Sequence, residues 1–327
     1  MRDRRRAVCM SILAAAAVVA APAAAQTYEE VPAWPLPATS AAGTPAPWNL
    51  GQIVAVATGA DGSIHVLHRG ALPIVVFAPD GAFVRAWGEG LFSNARVGGV
   101  PADARAPGAS GYTATYGPAG CYACGAHAIR VDADGNVWVV DAPGHVVYKL
   151  SPAGETLMQL GTRGVAGAGR DTFNLPTDIA FAPGGDIYVS DGYGNPRIVR
   201  FAPDGEYVAE WGSRGTGPGE FGLPHGIAVA GDGRVYAVDR DNRRVQVFDA
   251  DGAFLDEWAD LTGVQALFVT REQQIWAGPA LRDLDGTIRA ELPDGAGGHG
   301  MTVGHDGAVY VAQLGGRVQK FVPTPGE

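Results

Sequence analysis

The chain has 327 residues and a formal net charge of −10 at pH 7, with 18% charged side chains, 48 glycines and 23 prolines. An acidic balance argues against a nucleic-acid partner, whose phosphates call for a basic surface. So many turn-forming residues over this length suit one large all-β domain.

Residues 1–25 read as a secretory signal peptide. Arg2, Arg4, Arg5 and Arg6 precede an Ala/Val/Leu run that ends at Ala23-Ala24-Ala25, a small-residue cleavage pattern. The apolar run is short for a membrane span, and no later segment is long enough to be one. The arginines also leave a twin-arginine route open. The mature chain is expected to be secreted or periplasmic, without a membrane partner, and a monomer. Residues 26–48 form an N-terminal segment.

From residue 49 to 327 the chain repeats. Aligned on Gly62, Gly135, Gly185, Gly233, Gln273 and Gly307, it shows a β-branched residue two positions later each time: Ile64, Val137, Ile187, Val235, Ile275 and Val309. The next residue is His65, Trp138, Tyr188, Tyr236, Trp276 or Tyr310. Such residues favour strands. With apolar runs such as Ile129 to Val131 and Ile227 to Val229 upstream, each turn joins two antiparallel strands.

Two more strands follow in the better copies. Val147 to Leu150, Ile198 to Phe201, Val245 to Phe248 and Val318 to Phe321 supply the third, and Phe83 to Trp87, Tyr207 to Trp211 and Phe254 to Trp258 the fourth. Six copies of four antiparallel strands predict a six-bladed β-propeller, with copies of the NHL type. The last copy stops three strands in, at Phe321 and Val322. The segment around Tyr28 to Val31 is therefore predicted to pair with it and close the ring.

Residues 88–122 are a long insertion rich in Gly, Ala and Ser between the first and second blades. Such insertions serve as functional lids or are simply tolerated. Cys9 leaves with the signal, so Cys121 and Cys124 meet in an oxidising compartment, either as a local disulfide or as thiolates beside His127.

His127, His225 and His299 each lie seven positions before the turn position that precedes the aligned glycine, in the second, fourth and sixth copies. From alternate blades, their side chains would approach the ring axis from directions about 120° apart at one depth. Zinc binds imidazole at about 2.0–2.1 Å, and a three-histidine set leaves a fourth position open for water or substrate. His65, His68, His145 and His305 do not share this register.

The second strand of each blade returns to the same face, bringing back residues 14 to 16 places after the histidine slot. They are His68 and Arg69 in the first blade, Asp191, Gly192 and Tyr193 in the third, and Asp239, Arg240 and Asp241 in the fourth. Two guanidiniums and a phenol around a metal fit an anionic substrate and a proton transfer. Alternatively, the Asp239-Arg240-Asp241 group makes salt bridges between loops and Asp191-Gly192 is a turn.

The stretches Leu67-His68-Arg69-Gly70, Pro176-Thr177-Asp178-Ile179, Val189-Ser190-Asp191-Gly192-Tyr193-Gly194-Asn195-Pro196-Arg197-Ile198-Val199, Pro224-His225-Gly226-Ile227 and Val238-Asp239-Arg240-Asp241-Asn242 resemble the peptidyl-α-hydroxyglycine α-amidating lyase family. The likeness runs from about Leu50 to Phe321. It implies zinc on His127, His225 and His299, a catalytic Tyr193, and Arg69 and Arg240 on the substrate carboxylate. The implied reaction splits an N-acyl- or peptidyl-α-hydroxyglycine into an amide and glyoxylate.

The chain also departs from that family. Gly297 replaces its methionine, and Gly300 replaces an aspartate that ligates calcium there. The remaining calcium ligands would be the backbone carbonyls of Val56 and Ile129. Asn174 and Gly194 stand where the family has a cysteine pair, and there is no monooxygenase domain to make the hydroxyglycine. Two other functions fit the same fold: a lactonase-like metal hydrolase, which has no need of Tyr193, and a non-catalytic binding propeller, which has no need of metal.

Overall fold

The computed structural model describes residues 26–35, 50, 52–92 and 125–324. The expected signal peptide, the Cys121/Cys124 pair and residues 93–122 of the insertion lie outside them. The described strands form six four-stranded antiparallel blades.

Blade 1 is built from Ile53–Thr58, Ile64–His68, Ile74–Phe77 and Phe83–Trp87, and blade 2 from Ala126–Val131, Val137–Asp141, Val146–Leu150 and Thr156–Leu160. Blade 3 runs Asp178–Phe181, Ile187–Asp191, Arg197–Phe201 and Tyr207–Trp211, and blade 4 Pro224–Val229, Val235–Asp239, Arg244–Phe248 and Phe254–Trp258. Blade 5 is shorter: Leu267–Val269, Ile275–Ala277, Ala280–Arg282 and Ile288–Glu291. In blade 6, Gly300–Val303, Val309–Gln313 and Arg317–Pro323 are completed by Tyr28–Glu30.

That completion is the predicted closure. Tyr28, Glu29 and Glu30 lie opposite Pro323, Val322 and Phe321 in an antiparallel ladder, and Arg317 pairs with Glu30. Just beyond it Trp34 wedges between blades 6 and 1, its ring 4.8 Å from that of Tyr310 and 5.7 Å from that of Phe77. This N-terminal stretch thus supplies the outer strand of the last blade and fastens that blade to the first.

Burial follows from blade geometry. Second strands such as Val137–Asp141 and Val235–Asp239 are wholly buried, whereas the outer Phe254–Trp258 is largely exposed. Apolar clusters fill the space between neighbouring blades, for example Ile129, Val139 and Tyr148 between blades 1 and 2, and Tyr236, Val238 and Ile275 between blades 4 and 5. The hairpin turns need a left-handed residue, and Gly135 supplies one at φ 81°. In blade 5 Gln273 takes the same conformation at φ 59°, so the repeat geometry prevails over residue preference.

The innermost strands are not regular. Pairing slips by a residue or more between Ile53 and Ala55 in blade 1, Ala126 and Ala128 in blade 2, and Pro224 and Ile227 in blade 4. Bulges of this kind re-aim a side chain, and two of them fall on a histidine.

Candidate metal centre

His127 is the extra residue in the bulge of blade 2, and His225 sits in the slip of blade 4. His299 directly precedes the first strand of blade 6, with its N–H on the carbonyl of Ala312 at 2.8 Å. All three are buried. Their ring centroids stand 4.7–5.0 Å apart, and one nitrogen from each lies within 4.8 Å of the others.

The odd-numbered blades complete this arrangement. His127 Nδ1 lies 2.6 Å from the carbonyl of Thr177, His225 Nδ1 2.8 Å from that of Gln265, and His299 Nδ1 2.8 Å from that of Val54. Thr177, Gln265 and Val54 occupy the histidine slot in blades 3, 5 and 1. A carbonyl oxygen only accepts, so each Nδ1 carries the proton and each Nε2 keeps a lone pair.

Burial holds the imidazoles neutral. It pushes His299 down to about 4 and His127 and His225 well below the usual histidine range, with nearby imidazoles and arginines adding to the effect. Three neutral, oriented imidazoles are a donor set that could hold a divalent ion of the zinc type. Among the described residues this is the cluster of metal-ligating side chains.

Tyr193 reaches the same point from the loop after Ile187–Asp191. Its hydroxyl is 2.8 Å from His127 Nε2 and 3.3 Å from His225 Nε2. The flanking glycines are there for space: a Cβ at Gly192 would lie 1.7 Å from the Pro224 carbonyl, and one at Gly194 2.1 Å from the side chain of Asn174. Arg240 lies 5.8 Å from the centre of the Tyr193 ring, and Arg69 donates to Gln52 Oε1 at 2.9 Å. Arg69 acts electrostatically on His127 and His299, and Arg240 on His225 and His299. Tyr193, Arg69, Arg240 and the three histidines therefore share one centre.

Other residues of that register do not join it. Asp191 and Asp239 are fully buried and brace their blades: Asp191 takes Arg197 Nε at 3.0 Å and the Asn174 N–H at 2.7 Å, and Asp239 takes Arg244 Nε at 3.0 Å and the N–H groups of Gly222 and Leu223. Asp241 pairs with Arg240 at 3.3 Å, and the ring of His68 bonds the Leu72 carbonyl at 2.8 Å.

Calcium, expected on the carbonyls of Val56 and Ile129, does not match the donors present. Both residues are buried in innermost strands opposite Val66 and Val139. A Cβ at Gly300 would fall 2.7 Å from Ala55 Cα, so a carboxylate has no room beside them, and calcium is a cation of oxygen-rich, carboxylate-bearing cages. Asp178, a buried carboxylate of the same surroundings, already binds Arg130 at 2.6 Å and the Ile227 N–H at 3.2 Å.

Counting to the histidine slot in blades 1, 3 and 5 reaches Val54, Thr177 and Gln265, but not the fact that their carbonyls face the histidine rings of the neighbouring blades. Asp178 and Asn174 stood among the residues quoted for the resemblance without a role being assigned to them, and for Leu175 beside Tyr193 no local signal exists.

Comparison with known proteins agrees with this architecture. A family model described as a 6-bladed beta-propeller matches residues 173–278. Peptidyl-glycine alpha-amidating monooxygenase of Mus musculus is 39% identical over 133 residues, 38% of this chain and 14% of that protein. A probable peptidyl-alpha-hydroxyglycine alpha-amidating lyase of Caenorhabditis elegans is 37% identical over 128 residues, covering 38% of this chain and 37% of the relative. These matches thus span well under half of each amidating relative. NHL repeat-containing protein 3 of Homo sapiens is 30% identical over 295 residues, covering 80% of this chain and 77% of the relative. Among solved structures, a gluconolactonase of Xanthomonas campestris shares the fold, with a TM-score of 0.59 and 14% identity over 84% of this chain and 87% of that one. The chain belongs to the NHL-repeat family of six-bladed β-propellers, with peptidyl-α-hydroxyglycine α-amidating lyase domains among its homologues.

Proposed function

We propose that the protein is a zinc-dependent lyase that splits an N-acyl- or peptidyl-α-hydroxyglycine into an amide and glyoxylate. One observation carries this reading: the Tyr193 hydroxyl stands 2.8 Å from the Nε2 of His127, inside a cluster of three imidazoles flanked by Arg69 and Arg240. A hydrolase would not require a phenol in that place, and a binding module would not require oriented, neutral imidazoles.

Bound zinc would supply Lewis acidity toward an oxygen of the substrate. The rest falls to the protein. Arg69 and Arg240 bind the substrate carboxylate, for which the planar guanidinium is well shaped. Tyr193 takes the hydroxyl proton, and the positive charge of Arg240 beside its ring stabilises the phenolate needed to do so. As that proton leaves, the carbinol C–O bond becomes a carbonyl and the C–N bond breaks. Its electron pair goes to nitrogen, which takes up a proton, so neither oxidant nor water is consumed. The leading segment of the chain would place this chemistry outside the cytoplasm.

The test is glyoxylate release from an acyl-α-hydroxyglycine by the purified protein, with and without chelator, alongside Tyr193→Phe. Activity that survives removal of metal defeats the proposal. Lactone turnover by a fully active Tyr193→Phe protein establishes the hydrolase instead.

A further inference from the structure

Tyr193 is held over the histidine cluster by contacts that begin in the neighbouring blade. The residue it leans on, Leu175, has φ 59°, a left-handed conformation that disfavours residues other than glycine by about 1–2 kcal/mol. Three contacts keep it there. Its N–H donates to His145 Nδ1 at 3.1 Å, its carbonyl accepts the Tyr193 N–H at 3.3 Å, and its buried side chain packs with Ala142 and against Tyr193. Next to it the carbonyl of Asn174 takes the Gly194 N–H at 2.8 Å.

We infer that His145 is a positioning residue for Tyr193, acting through Leu175; this deepens the reading that Tyr193 moves the substrate proton. His145 lies in the loop between Val137–Asp141 and Val146–Leu150 of blade 2, its N–H on the Ala142 carbonyl at 3.0 Å. Its own carbonyl lies 2.5 Å from where a Cβ on Gly161 would be, so this loop is closely packed and its imidazole presents Nδ1 from a fixed place. Without that acceptor the part-buried Leu175 N–H loses its side-chain partner and the strained backbone has reason to relax. The carbonyl anchoring Tyr193 then turns away, and a displacement of about 1 Å at a reacting group can lower a rate about a hundredfold.

Two substitutions separate the acceptor from the backbone conformation, since His145 itself has φ 59°. His145→Gly tolerates that angle and offers no acceptor, whereas His145→Asn tolerates it and places a carbonyl oxygen near the site of Nδ1. Expected for His145→Gly is a fall of about ten- to a hundredfold in kcat for glyoxylate release, with KM and zinc content unchanged. His145→Asn should return kcat to near the original value. Hydrogen exchange of the Tyr193 and Gly194 amides should quicken in His145→Gly and recover in His145→Asn. The double variant His145→Gly/Tyr193→Phe should be no slower than Tyr193→Phe alone.

Unchanged exchange in His145→Gly, or no recovery in His145→Asn, overturns the inference. The exchange arm decides this even for a protein that releases no glyoxylate, so failure of the lyase reading and failure of this coupling stay distinguishable.

Discussion

The imidazole of His127 gives its Nδ1 proton to the backbone carbonyl of Thr177, 2.6 Å away in the next blade. The partner is main chain, so the tautomer that faces Nε2 to the axis does not depend on the Thr177 side chain. That side chain instead ties Ser190 Oγ at 2.8 Å and the Pro224 carbonyl at 3.0 Å. Thr177→Val should therefore lower stability by about 1–3 kcal/mol through unsatisfied buried groups, yet leave metal stoichiometry intact, as denaturant melts and metal analysis would report.

Removal of a proposed ligand acts differently. Since outer partners of ligating histidines alone account for about 10–100-fold in affinity, His225→Ala should bind zinc at least about a hundredfold more weakly. Competition with a chromophoric chelator measures it, and equal affinity in the variant would rule out the three-histidine centre.

Tyr193→Phe keeps the ring and removes the hydroxyl that faces His127 and His225. Glyoxylate release should fall by about 10²–10⁴-fold, the usual contribution of a proton-transfer group. Zinc content should not change.

Asp178 joins two histidine-bearing strands, through Arg130 in blade 2 and the Ile227 N–H in blade 4. Both members of the ion pair are largely buried. Asp178→Ala leaves Arg130 without its carboxylate and should destabilise the fold by about 3–5 kcal/mol. The double substitution Asp178→Leu/Arg130→Met, which replaces both charges with apolar side chains, should recover much of that loss in equilibrium unfolding.

His65 fills a buried slot that is aromatic in the other five repeats. Burial pushes its pKa down to about 4, with Arg85 adding to the effect. Above the ordinary histidine pKa both the folded and the unfolded chain hold it neutral. Below it the unfolded chain binds a proton that the folded chain refuses, so stability falls as pH drops from about 6.5 towards 4. The loss should approach about 3 kcal/mol for this residue. His65→Tyr should flatten the stability profile by that amount, and an unchanged slope would refute the assignment.

Trp34 seals the ring where blade 6 meets blade 1. Trp34→Ala should lower stability by about 3–5 kcal/mol, the usual consequence of emptying so large a buried site. Thermal unfolding monitored by circular dichroism is sufficient to detect it.

The blades could be read from the residues because hairpin spacing and strand preference are local. A turn glycine and the β-branched residue two places on mark the same hairpin in each copy, and the equivalence of His127, His225 and His299 follows from counting within it. Even the closing strand could be foreseen, since a blade ending at Val322 lacks one strand. What that reading could not supply lies between blades. His299 finds its acceptor in Val54, 245 residues away, and Asp178 meets Ile227 across 49.

The sequence by itself therefore determined the number of blades, the order of their strands and which side chains share a face. Only the tertiary structure decided which ring nitrogen faces the axis, that Asp191 and Asp239 brace blades instead of lining the site, that Gly300 leaves no room for a carboxylate, and that Leu175 bonds both His145 and Tyr193. Repetition along the chain sets what recurs within each blade. Contacts across the gaps between blades depend on how closely two backbones approach, and no pattern along one strand records that distance.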